Sequence, residues 1–118
     1  MVRADELVVD EKLQSVMNVQ IDLSVCADTA LTFENDNASA QKYSDLSVQL
    51  LDKAGTVGWT TDEIAIASVL VMENRRDLVL KDDDTLEEYR LRNYTGDRCD
   101  RQVEAAQRYL SGNFPTPE

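Results

Sequence analysis

An all-α bundle of four to five helices is the fold this sequence predicts, and three observations carry the prediction. The 118 residues include only 4 Gly and 2 Pro, too little of the punctuation with which all-β chains turn every few residues. Apolar side chains recur at helical spacing along most of the chain. The third observation is the run from Ile64 to Met72, apolar on every side of a helix. It predicts a central buried helix over about 61–80 with the other elements wrapped around it.

Composition sets the class and excludes several functions. A chain of this length, 42% hydrophobic and 30% charged, is one soluble globular domain and not a disordered segment. With 23 acidic and 12 basic residues its formal charge is −11, so a nucleic-acid backbone or an anionic membrane repels it and a protein partner with a basic or neutral surface is favoured. The absence of His removes the commonest general base and metal ligand. The apolar run stops at Glu73, well short of the roughly 20 residues that a membrane span needs. No motif for a cofactor, a metal or a catalytic nucleophile is present, and neither a cofactor nor a metal is expected.

Helix one is expected from near Asp5 to Phe33, with Val9, Leu13, Val16, Leu23, Ala27, Ala30 and Leu31 on its apolar stripe. Asp10, Glu11, Asn18, Asp22 and Thr29 fall on the opposite, solvent side. Val19 to Val25 also alternates like a strand, but the helical pattern is continuous on both sides of it. Asn and Asp residues then mark a loop, and Ser39 is a candidate cap for helix two, which carries Ala40, Tyr43, Leu46, Leu50, Leu51 and Ala54 inward and stops at Gly55. Trp59 is expected to fold back over the core; the alternative is a Trp exposed for binding.

Thr60 and Glu63 have the spacing of a reciprocal cap at the start of the apolar helix. Asp84 and Glu87 repeat that spacing and predict a short helix from Thr85 to Asn93 with Leu86, Tyr89 and Leu91 inward. After Gly96, a last helix over 97–110 places Cys99, Val103, Ala106 and Leu110 on one stripe and Asp100, Arg101, Glu104 and Arg108 outside. The domain thus spans 5–112, and 113–118, with Pro115 and Pro117, reads as a frayed tail.

Cys26 and Cys99 both fall on inward stripes and predict one disulfide between the first and last helices. Val2-Arg3-Ala4 resembles the residues before a signal-peptidase cut, so 1–4 reads as a signal-peptide remnant. Together these predict a periplasmic or secreted protein; two free thiols in a cytoplasmic core are the alternative.

The acidic residues Glu73, Asp77, Asp82, Asp83, Asp84, Glu87 and Glu88 form the candidate partner-binding surface, where carboxylates outnumber cations most. They match no calcium loop, which needs alternating acidic positions and a central Gly. The leading expectation is an exported acidic protein of inhibitor, immunity or adaptor type that acts by binding another protein. Second comes an envelope chaperone that exposes apolar surface in acid, and third an enzyme using Glu73 and Asp77, one turn apart, as a carboxylate pair. The leading expectation is non-enzymatic.

Overall fold

The computed structural model describes residues 10–74 and 85–117. Within them the chain forms five α-helices and no strand: α1 (Glu11–Thr32), α2 (Asn37–Thr56), α3 (Thr61–Asn74), α4 (Leu86–Asn93) and α5 (Asp97–Arg108). A helical bundle is therefore the architecture, as the periodicity predicts. The expected start of the first helix at Asp5, the signal-peptide remnant and the extension of the apolar helix from 75 to 80 lie outside the described residues.

The helix at the centre is α1 and not the apolar one. α1 packs against α2, α3, α4 and α5 and buries Leu13, Val16, Met17, Val19, Leu23, Cys26 and Ala30. α3 packs chiefly on α1 and buries only Ala67 and Val71, with Val69 54% and Met72 56% exposed. Over Thr61–Asn74, the described part, the expectation of a wrapped helix is corrected by geometry. The molecule measures 41 × 34 × 19 Å, a slab about two helices thick. The longest of the described helices, α1, is the one that every other described helix contacts.

Because α1 is covered on several sides, its solvent side is not where the wheel put it. Asp22 and Thr29 are buried, whereas Leu31 is 56% exposed. Thr29 tolerates burial because its hydroxyl donates to the Val25 carbonyl at 2.8 Å, so no polar atom there is left without a partner.

The helix ends follow local chemistry. Asp36, and not Ser39, caps α2; its carboxylate accepts from the Ser39 N–H at 3.0 Å, and that bond holds the Asp36 carboxyl below its ordinary pKa. Helix α2 passes through Gly55 and stops two residues later than the first glycine suggests. The left-handed position is Gly58, with φ +115°. The Gly58 N–H donates to the Gly55 carbonyl and the Trp59 N–H to the Ala54 carbonyl, the paired bonds of a Schellman ending. This ending turns Trp59 back onto the core, where it is buried; the exposed-Trp alternative is set aside.

Thr60 and Glu63 cap α3 reciprocally as expected, each side chain accepting from the other's N–H at 3.1 and 2.9 Å. For α4 the cap is Thr85, whose hydroxyl oxygen accepts from the Glu88 N–H, one residue later than the Asp84 and Glu87 spacing implies; Asp84 itself lies outside the described residues. Tyr89 is buried there, but Leu86 and Leu91 are exposed. Along α5, Cys99, Val103 and Ala106 are buried as expected, and the helix widens to a π-turn over Tyr109–Asn113, within which Gly112, at φ +148°, breaks the helical path.

The described part of the tail, 113–117, makes contacts with the helices. Phe114 packs on the core and lies edge-on to Tyr109, and the Trp59 indole N–H donates to the Pro115 carbonyl at 2.9 Å. Pro117 comes within 3.2 Å of the place a side chain on Gly58 would occupy. One glycine thus serves both the left-handed turn and the close approach of the tail.

Candidate interaction surface

The two cysteines are the sequence-predicted pair that the fold brings together. Cys26 on α1 and Cys99 on α5 are disulfide-bonded with Cα atoms 6.1 Å apart, and both are buried. Burial shields both sulfurs from an attacking thiolate, and the bond staples α1 to α5. It joins a small aromatic cluster with Tyr89 and Tyr94, whose rings lie 6.0 Å apart.

Asp22, which the helical wheel assigned to solvent, is 1% exposed beside this staple. The Arg98 Nε donates to its carboxylate at 3.4 Å and the Gln102 amide at 2.5 Å. The Arg98 guanidinium also stacks over the Tyr94 ring at 4.8 Å. A buried carboxylate persists only when opposite charge and donors replace water, and α5 supplies both. The signal was present in the sequence. Asp22 lies one turn before Cys26 and Arg98 lies next to Cys99, so a bond between the cysteines brings the two charges face to face. A second link, Arg90 to Asp28 at 2.7 Å, ties α4 to α1.

Tyr43 packs against the same cluster. Burial pushes its phenol above the ordinary value, and the negative charges of Asp100, Glu34 and Asp36 push it further in the same direction. It therefore stays protonated at neutral pH and is poorly placed to act as a base.

The candidate partner-binding carboxylates divide. Glu73 is exposed in the last turn of α3, and Glu87 and Glu88 are exposed in the first turn of α4. Asp77, Asp82, Asp83 and Asp84 lie outside the described residues. Asp77, the other half of the expected carboxylate pair with Glu73, is among those undescribed residues. Among the described residues no group of three or more metal-ligating side chains gathers, and no helix is long and apolar enough to cross a membrane.

The feature that periodicity missed is the outer side of α3. Ala65, Val69 and Met72 are all exposed and follow one another at the spacing of a single helical face. Exposed Asp62 precedes this stripe and Glu73 follows it. An all-round apolar helix placed at the edge of a slab must present such a stripe, because only one side of it meets the core. No protein-family model, curated protein or solved structure matches the chain.

Proposed function

We propose that this protein is an exported binding module that docks another polypeptide on the outer face of α3. The observation that carries the reading is the solvent-facing stripe Ala65, Val69 and Met72, bounded by carboxylates. Continuous exposed apolar residues rimmed by polar ones are the usual mark of an interaction site. The disulfide supports an oxidising compartment. The charge of −11 supports a partner that is apolar where it meets α3 and basic or neutral around that contact, with the exposed carboxylates Glu73, Glu87 and Glu88 assisting its approach.

A photo-crosslinking residue placed at Val69 or Met72, with exposed Gln107 on α5 as control, tests the reading in cells of the producing organism. One discrete adduct from positions 69 and 72 and none from 107 is the expected result. Equal labelling from all three positions, or none from any, would overturn it. A broad set of adducts formed only in acid would instead select the chaperone.

A further inference from the structure

The segment Phe114-Pro115-Thr116-Pro117 is extended because its own residues make it so. A proline fixes its own φ at about −65° and moves the residue before it out of the helical region. Phe114, which precedes Pro115, accordingly has φ −72° and ψ 127°, close to the polyproline II conformation. Past the break at Gly112 the segment meets three groups in turn. Phe114 lies edge-on to the Tyr109 ring at 6.2 Å, the Trp59 indole N–H donates to the Pro115 carbonyl at 2.9 Å, and the Pro117 ring comes against Gly58.

We infer that the surface under this segment is a binding site for a proline-containing polypeptide in the polyproline II conformation, of the pattern aromatic-Pro-x-Pro, and that the chain's own 114–117 occupies it as an intramolecular ligand. The chemistry of the site specifies the occupant. A polyproline II segment makes no internal hydrogen bonds, so its carbonyls are left to accept from outside, and aromatic-lined grooves recognise it at low entropic cost because its shape is preformed. Trp59 is only 6% exposed, and a buried indole N–H needs an acceptor. Any occupant must therefore present a carbonyl there. Two residues further on, the missing side chain of Gly58 leaves room for a proline ring, since a Cβ at that position would stand 3.2 Å from Pro117.

The segment is also lightly held. Among the described residues the bond from Trp59 is the one hydrogen bond that 115–117 make, and Thr116 is exposed while Phe114, Pro115 and Pro117 are half-buried. A cleft of about 700 Å³, lined by Lys12, Ser15 and Tyr109 together with 112–117, borders the same segment. The tail thus has the core on one side and open space on another, so it can leave without displacing a helix and a longer ligand has room to continue. Lys12 is the one charged side chain lining the cleft, which favours neutral or acidic residues in that continuation. A tethered ligand competes at an effective concentration of about millimolar, so the site stays closed to weak ligands and yields to a partner that binds it more tightly.

Trp59 is the one Trp of the chain, so its fluorescence reads the site directly. The test uses the full, disulfide-bonded chain with the tail loosened by Phe114→Ala and Pro117→Ala, and the synthetic peptide Asn-Phe-Pro-Thr-Pro as probe. In the loosened variant the emission should shift to longer wavelength while circular dichroism shows unchanged helicity, and added peptide should reverse the shift saturably. Wild type should need at least tenfold more peptide, and a peptide with both prolines replaced by alanine should bind the variant at least tenfold more weakly. A second measurement needs no variant: in NMR spectra of wild type, millimolar peptide should move the Phe114 resonances to unstructured positions while the Trp59 indole N–H stays hydrogen-bonded. Loss of helicity in the variant would make the tail part of the core and overturn the inference. So would a variant whose emission ignores the peptide, equal binding of the alanine peptide, or wild-type Phe114 resonances that millimolar peptide leaves in place.

Discussion

α1 and α3 are both rich in apolar residues, yet α1 buries a carboxylate along with its hydrophobic side chains and α3 leaves a valine and a methionine in water. The difference lies in their neighbours. α1 meets every other helix of the fold, while α3 rests chiefly on α1. Hydrophobicity drives burial in proportion to the apolar area that neighbours can cover, so a long helix at a crossing point is buried on several sides whatever its pattern. A shorter helix at the edge is buried on one side however apolar it is. The same contrast separates a structural surface from a functional one. The buried polar contacts of α1 are satisfied within the fold, whereas the outer stripe of α3 has no partner among the described residues of the chain.

Several changes would break or sharpen this contrast. The largest expected loss comes from the staple on α1: replacing both Cys26 and Cys99 with Ala opens a connection spanning 73 residues. On the chain-entropy model this costs about 4 kcal/mol, measured by urea unfolding against the oxidised wild type. Next, Leu23→Ala removes a fully buried side chain from α1 and should cost about 3 kcal/mol, within the range for large-to-small core changes. If Leu23→Ala proved as mild as a surface change, the central place of α1 would be wrong.

Asp22→Ala should cost about 1–3 kcal/mol, because Arg98 and Gln102 lose their shared acceptor while Arg98 keeps some contact with water. The effect should shrink in an Arg98→Ala background, which a double-mutant cycle measures. Tyr43 gives an alkaline edge to the same end of the molecule. Its folded pKa is raised above 10.0, so the unfolded chain loses its proton first as pH climbs. Stability then falls from the ordinary tyrosine value up through the folded one. Tyr43→Phe should remove that slope from melting temperatures recorded across alkaline pH. The smallest change is expected on α3, where Val69→Ala should shift stability by no more than about 0.5 kcal/mol while weakening partner capture. A loss as large as that of Leu23→Ala would mean that the stripe is covered.

By itself the sequence determined what depends on neighbours a few residues away. The helical class of the described residues, the reciprocal cap of Thr60 with Glu63, the inward stripe of Cys99, Val103 and Ala106, and the return of Trp59 all follow from spacing and end chemistry. The cap positions at Asp36 and Thr85 differ from expectation by one side chain's choice of partner, a local competition that spacing narrows without resolving. Tertiary structure alone decided which helix is central, because an all-round apolar helix carries no polar face to say which side meets water. It also decided the fate of Asp22, whose ion-pair partner lies 76 residues away. The docking of 113–117 is non-local too, since the Pro115 carbonyl meets an indole 56 residues earlier. The candidate surface divides in the same way. The carboxylates Glu73, Glu87 and Glu88 are legible as charge, but the apolar stripe of α3 is exposed only because a slab two helices thick cannot cover every face it presents.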